Sequence, residues 1–247
     1  MAPRPLIVGN WKMNGSREKL GEIAAIERHA ATTATQVRIA LPATLIGLAA
    51  ASTDKVAIGG QDVHFADAGA YTGSISAAML REAGASFTLV GHSDRRHGCG
   101  ETDAIVRAKV ETAWRHGIDV VLCVGETAEQ RSAGTGEDAV VAQLCMALGG
   151  GIAGGLAIAY EPVWCIGAAT AATPGQIAAM HGVIRAELRA QHGEAAVAIP
   201  LLYGGAVDPH SAAAILRTRD VDGVLAGRAS LDAASFRTLI DACPAAA

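Results

Sequence analysis

Short apolar runs recur along the 247-residue chain, and longer alanine-rich stretches separate them. Most of these runs do not alternate polar with apolar residues. Continuous apolar runs are typical of parallel strands that helices cover on both faces of the sheet. From this pattern we predict eight strands, at residues 6–8, 37–40, 56–58, 87–90, 120–124, 157–160, 198–202 and 223–226.

The segments between the runs carry the spacing of helices. Residues 105–117 place apolar side chains on one side of a helix that stops at Gly117, and residues 173–193 run from a Thr-Pro start signal to Gly193. Eight strand-helix units in a chain of this length predict an α/β fold: a single closed (β/α)8 barrel of eight parallel strands ringed by helices. Because no linker divides residues 1–247, we expect one domain, although length alone leaves an open doubly wound sheet possible.

Composition and charge exclude several classes of protein. The apolar fraction of 51% allows a large core and excludes a disordered chain. A formal charge of −4 with the two signs well mixed offers no basic stripe for nucleic acid and no polybasic arm for a membrane. The five cysteines have no Cys-x-x-Cys spacing, and the apolar stretch at residues 6–8 is too short for a signal peptide. We therefore expect reduced thiols and a cytoplasmic location.

Polar and glycine residues follow five of the predicted strands. In a barrel of this class the functional residues lie at the carboxyl ends of the strands, so these segments should meet on one rim. The segments are GNWKMN after the first strand, GHSDRRHG after the fourth, EPVWCIG after the sixth, YGGAV after the seventh and GRASL after the eighth.

Three side chains on this rim are candidates for chemistry. Lys12 and Asn10 flank Trp11 at the exit of the first strand, and would present a cation and an amide to the barrel mouth. Taken alone, a lysine such as Lys12 is more often a solvated surface residue, and an asparagine such as Asn10 is more often a turn former. His92 precedes a predicted helix start at Ser93 and Asp94, where an extra positive charge is disfavoured, so a neutral imidazole is expected.

Glu161 is the strongest candidate for a base. It is bounded by Tyr160, Pro162 and Trp164, and partial desolvation of a carboxylate makes it a stronger base toward carbon. An isolated glutamate would more often be a helix cap or a surface acid. At the seventh and eighth exits, glycines allow backbone N–H groups to approach an anion closely, although this signal is weak alone.

Two further patterns indicate no cofactor and no metal. The segment GGGIAG at residues 149–154 matches a dinucleotide fingerprint, but it follows a helical pattern and precedes a strand, which is the reverse of that site. The pairs His64 with Asp67 and His92 with His97 lack the spacing of helical metal ligands.

Six motifs, in order over nearly the whole chain, resemble the triosephosphate isomerase family: GNWKMN, GAYTG, GHSDRR, AYEPVW, YGGAV and DGVLAGRASL. The resemblance implies a TIM barrel that interconverts dihydroxyacetone phosphate and D-glyceraldehyde 3-phosphate in glycolysis and gluconeogenesis without a cofactor. It implies that Glu161 is the base, His92 the neutral electrophile and Lys12 a fixed positive charge, with Asn10 hydrogen-bonded nearby.

The same resemblance implies how a phosphate and a second subunit would bind. The backbone N–H groups of Gly167, Ala206, Gly227 and Arg228 would hold the phosphate, and the segment after Glu161 would form a mobile lid. The loop at residues 61–76 would dock into a second copy of the chain and make a homodimer.

Departures from the family pattern leave alternatives open. Asp94 is one methylene shorter than the usual glutamate, which puts its bond to Lys12 in doubt. A Schiff-base aldolase with Lys12 as nucleophile, a non-catalytic sensor of phosphorylated ligands and an isomerase of a four-carbon sugar phosphate also fit parts of the pattern.

Overall fold

A computed structural model describes residues 3–149, 151–166 and 171–244 and contains a closed barrel of eight parallel strands. Each strand pairs with the next along the chain, and the eighth pairs with the first. The strands are β1 Leu6–Asn10, β2 Gln36–Leu41, β3 Val56–Gly60, β4 Phe87–Val90, β5 Asp119–Val124, β6 Leu156–Tyr160, β7 Leu201–Tyr203 and β8 Gly223–Ala226. The predicted fold class is therefore confirmed.

Helices follow the strands and ring the barrel. They are α1 Leu20–Ala30, α2 Ala43–Ala50, α3 Ala77–Glu82, α4 Ser93–Gly98, α5 Asp103–Arg115, α6 Ala128–Ser132, α7 Gly136–Leu148, α8 Pro174–His192, α9 Ala212–Leu216 and α10 Ala233–Asp241. In the described part of the chain, 3₁₀ helices lie at Val163–Cys165, Gly193–Ala198 and Arg228–Leu231. None of the helices in the described ranges is long and apolar enough to cross a membrane.

The predicted boundary of the seventh strand is wrong at its start. The apolar run predicts an extended segment over residues 198–202, but a 3₁₀ helix runs to Ala198 and β7 begins at Leu201. Pro200 has no backbone N–H and so cannot donate to a sheet ladder, which explains why pairing begins after it. By contrast, α8 begins at Pro174 with a capping box from Thr173, as its sequence predicts.

The core has two layers, because successive strand residues point to opposite faces. In β1, Leu6 and Val8 belong to the cluster inside the barrel, whereas Ile7 belongs to the cluster between strands and helices. Phe87 fills the space beside Gly59 inside the barrel, where an added Cβ on the glycine would overlap the phenylalanine ring. Side chains thus fill the barrel interior, and a functional site of this fold is expected at the rim.

One buried histidine on α8 gives the fold an acid-sensitive point. His181 is fully buried, its Nδ1 is 2.7 Å from the Asp220 carbonyl, and Nε2 has no described partner. Because Nδ1 donates to that carbonyl, the neutral ring suits the site. Burial lowers the pKa of His181 to about 4. The unfolded chain therefore binds a proton that the folded chain excludes between about pH 6.5 and pH 4.

We expect this group to remove up to about 3 kcal/mol of unfolding free energy as the pH falls from 6.5 to 4. Urea unfolding of the wild type and of His181→Gln at a series of pH values measures the effect. The variant should lose less stability than the wild type over this window. If the unfolding free energies of the two proteins fell in parallel with pH, His181 would not be the group that titrates over this window.

Candidate active site

Three strand exits bring the candidate catalytic side chains together. Asn10 ends β1 and Lys12 follows it, His92 follows β4 at the start of α4, and Glu161 follows β6. Glu161 bonds to His92, and Asp94 contacts both His92 and Lys12. The predicted set thus forms one connected cluster on the carboxyl rim of the barrel.

The Glu161 carboxylate is almost completely buried against the start of α4. Glu161 is 3% exposed. Its Oε2 accepts a 2.9 Å hydrogen bond from the Ser93 backbone N–H, and its Oε1 lies 3.0 Å from His92 Nε2. An added Cβ on Gly204 would lie 2.9 Å from Glu161 Cγ, and one on Gly125 would overlap the Glu161 carbonyl. Two glycines therefore give the carboxylate and its backbone the space that they occupy.

His92 has a hydrogen-bond pattern that suits a neutral ring. The residue is 6% exposed, and its Nδ1 accepts a 3.0 Å hydrogen bond from the Asp94 backbone N–H. An accepting Nδ1 carries no hydrogen, so the hydrogen of a neutral ring lies on Nε2. That hydrogen points toward Glu161 Oε1, and the ring can donate from it to another oxygen.

Lys12 combines an unusual backbone with a fixed ammonium group. Its φ is +51°, and its backbone N–H donates to Asn10 Oδ1 over 2.9 Å. Its Nζ lies 2.9 Å from Asp94 Oδ2. The doubt that a shortened carboxylate raises is therefore answered, because Asp94 does reach the lysine. Partial burial raises the pKa of Asp94, but the hydrogen bond and charge of Lys12 offset it and keep that pKa below its usual value.

Three of the four predicted anion-binding residues lie at the exits of β7 and β8. Ala206 and Arg228 stand in these two loops with Gly227, whereas Gly167 lies outside the described residues. An added Cβ on Gly227 would lie 3.7 Å from Lys12 Cε, so this loop passes beside the lysine side chain.

The loop after β8 is fixed in place by bonds to the exit of β1. Trp11 Nε1 donates a 2.9 Å hydrogen bond to the Ser230 carbonyl, and Ser230 Oγ donates a 2.7 Å hydrogen bond to the Gly227 carbonyl. The glycine loop and the Lys12 segment are therefore joined by hydrogen bonds as well as by proximity.

A buried carboxylate next to Glu161 was missed by the sequence reasoning. Glu126 is fully buried, and its Oε1 accepts hydrogen bonds from Tyr160, from Trp164 Nε1 at 2.7 Å and from Arg131 at 3.3 Å. The Arg131 guanidinium also stacks over the Trp164 ring at 4.1 Å. Burial beside this carboxylate raises the pKa of Tyr160. The sequence signal that could have identified Glu126 is its position just after β5, on the same rim as the other candidates.

Comparisons with known proteins agree over nearly the whole chain. The family described as Triosephosphate isomerase matches residues 5–243. The triosephosphate isomerase of Afipia carboxidovorans is 49% identical over 98% of each chain, and that of a Ruegeria species is 48% identical over 98% of this chain and 99% of its own. A crystal structure of triosephosphate isomerase from Bartonella henselae superposes with a TM-score of 0.90 at 45% identity, over 97% of this chain and 98% of that one.

Proposed function

The chain belongs to the triosephosphate isomerase family, whose members are intramolecular isomerases, and from this premise we propose how its residues carry the reaction. The substrate pair is dihydroxyacetone phosphate and D-glyceraldehyde 3-phosphate. The reaction is a cofactor-free proton transfer through an enediolate, carried out by the whole barrel as one catalytic domain. The observation that carries this proposal is the contact of Glu161 Oε1 with His92 Nε2, in a site that holds both side chains almost fully out of water.

Glu161 acts as the base. In the structure its two oxygens are held by Ser93 and His92, so the carboxylate must turn toward the substrate before it can act. A substrate carbonyl that accepts the Nε2 hydrogen of His92 removes one of these two bonds and favours that turn. The carboxylate then takes a proton from the carbon next to the carbonyl, which gives the enediolate, and returns it to the former carbonyl carbon. In the same interconversion His92 Nε2 gives its hydrogen to the former carbonyl oxygen and regains one from the neighbouring hydroxyl, which becomes the new carbonyl.

His92 and Lys12 stabilise the negative charge that forms on the carbonyl oxygen. His92 donates from Nε2 as a neutral imidazole, which the accepting Nδ1 supports. Lys12 supplies a positive charge whose position Asp94 fixes, and Asn10 holds the lysine backbone. A preorganised donor of this kind is worth on the order of 3 kcal/mol in the transition state. Triosephosphate isomerases pair a glutamate base with a neutral histidine, and the bonds to the His92 ring are consistent with that pairing.

The phosphate binds at the exits of β7 and β8. The donors are the backbone N–H groups of Ala206, Gly227 and Arg228, together with Gly167 from the segment outside the described residues. Their approach to an anion is supported by the glycines in the loop and by the Lys12 side chain beside Gly227. The phosphate would thereby place the reacting carbons between Glu161 and His92.

A direct assay tests the proposed reaction. Wild-type protein should convert D-glyceraldehyde 3-phosphate to dihydroxyacetone phosphate in an assay coupled to a dehydrogenase that reduces the product. A four-carbon aldose phosphate serves as the comparison substrate and should turn over more slowly. Binding of the triose without turnover would favour a sensor, and trapping of Lys12 by borohydride would favour an aldolase; either result would contradict the proposal.

The active unit is a homodimer formed through the loop at residues 61–76. Within this loop Phe65 and Tyr71 are exposed and pack against His64, with ring centroids 4.3 and 4.1 Å from the imidazole. Met13, whose chain neighbour Lys12 bonds to the start of the loop, is 97% exposed. A cavity of about 300 Å³ lies under the loop. Exposed apolar groups beside a cavity suit a two-fold interface, in which each copy offers both features.

We expect Met13→Arg to shift the protein from dimer toward monomer at micromolar concentration, because a buried, unpaired charge opposes association. Sedimentation velocity measures the change. The matched control is Met146→Arg, which places the same charge at an exposed methionine of α7. Wild-type protein that sediments as a monomer, or a Met13→Arg variant that remains as dimeric as the control, would contradict this interface.

A further inference from the structure

Lys12 occupies a backbone conformation that its own side chain disfavours. Its φ of +51° lies in the left-handed region, where a Cβ crowds the following carbonyl oxygen. Such a conformation persists when surrounding contacts fix it. The contacts that hold Lys12 therefore decide where its ammonium group lies.

The peptide units on either side of Lys12 are held by side chains. Asn10 Oδ1 accepts from the Lys12 N–H, and Gln61 Nε2 donates to the Lys12 carbonyl over 2.9 Å. The same Gln61 nitrogen donates a 3.2 Å hydrogen bond to the Ala40 carbonyl. The two hydrogens of one amide thus connect the end of β2 to the lysine, and both partners of this amide are backbone acceptors.

We propose that Gln61 is a positioning residue for Lys12. It holds the lysine carbonyl in the left-handed conformation, and so places the ammonium group where Asp94 meets it on the substrate side of the rim. This inference rests on the proposed role of Lys12 as the fixed charge of an isomerase. A glutamine suits the task because its amide offers two hydrogens to two carbonyls, whereas a glutamate would present a second acceptor to them.

Gln61 also connects the lysine to the loop that we assign to the dimer interface. It is the first residue of residues 61–76, and its neighbour Asp62 is held by Arg95 of α4 and Lys109 of α5. These ion pairs fix the start of the loop to the helix that follows His92. Gln61 is therefore anchored on one side by the loop and bonds to Lys12 on the other.

The test compares Gln61→Met with Arg81→Met. Arg81 also donates to a distant backbone carbonyl, that of Gly117, but far from the rim. We expect Gln61→Met to lower kcat by about tenfold to a hundredfold, with a smaller change in KM, because small displacements of a catalytic group are costly. Arg81→Met should keep the wild-type kcat. The kinetics of both variants are measured at a protein concentration at which sedimentation velocity shows the dimer.

A spectroscopic readout separates positioning from general stability. The chain has four lysines, so reductive methylation with ¹³C-formaldehyde gives few signals, and the Lys12 signal is assigned with Lys12→Arg. Gln61→Met should shift the Lys12 signal, and Arg81→Met should leave it in place. If Gln61→Met does not fold, Gln61→Glu keeps the size of the side chain and should show the same loss.

Either of two results would overturn the inference: a wild-type kcat in the folded Gln61 variant, or a kcat loss with an unmoved Lys12 signal. Failure of the proposed function looks different, because the wild-type protein itself would then lack isomerase activity.

Discussion

Glu161→Gln should reduce kcat for D-glyceraldehyde 3-phosphate by about a hundredfold to ten-thousandfold, the range expected when a general base is removed. The amide has nearly the shape of the carboxylate and can still accept from the Ser93 N–H, so the site should keep its fold. It cannot take a proton from carbon. The phosphate contacts are untouched, and the affinity for inorganic phosphate should change little. Steady-state kinetics in the coupled assay measures the first effect, and competitive inhibition by phosphate measures the second on the residual activity.

Glu161→Asp is the control for this prediction. It keeps the charge and the basic group but withdraws the oxygens by one methylene, so turnover should lie between that of wild type and Glu161→Gln. A kcat for Glu161→Gln within a few-fold of wild type would show that another group takes the proton. A loss of turnover explained by unfolding is detected by circular dichroism.

Lys12→Met should lower kcat/KM by about a hundredfold to a thousandfold, as for the loss of one preorganised donor at a developing negative charge. Two effects combine here. The enediolate oxygen loses a positive partner, and the Asp94 carboxylate, now unpaired by Lys12, faces an anionic substrate. We therefore expect both a lower kcat and a higher KM, measured in the same coupled assay.

The matched control for the lysine is Lys19→Met. Lys19 precedes α1, is exposed, and lies 3.9 Å from Glu22, so it carries the same charge without a place in the site. It should keep the wild-type kcat/KM. Equal losses in the two variants would mean that net charge, and not the position of Lys12, determines the rate.

The barrel was predictable because its signals are local and repeated. Each buried strand reads as a continuous apolar run, and the start of α8 is given by Thr173 and Pro174. The rim was predictable from geometry, since parallel strands in a barrel present all their carboxyl ends on one side. Assigning roles to Glu161, His92 and Lys12 required more than this pattern and came from the resemblance.

The contacts within the site were not predictable from the sequence. Whether the shorter Asp94 reaches Lys12 depends on the left-handed backbone at Lys12, and no local pattern encodes that conformation. Glu126 and Gln61 follow strands as the predicted residues do, but each acts through partners distant in sequence. Such pairings depend on side-chain rotamers and on the register of the barrel, which are set by the packed core.

The most direct test of the account is the fate of the transferred hydrogen in deuterium oxide. If Glu161 takes a proton from carbon and exchanges it with solvent, wild-type enzyme should place deuterium on the carbon that is protonated, as proton nuclear magnetic resonance of the product shows. Glu161→Gln should slow this incorporation in step with turnover. Conversion or deuterium incorporation by Glu161→Gln at the wild-type rate would contradict proton transfer by Glu161.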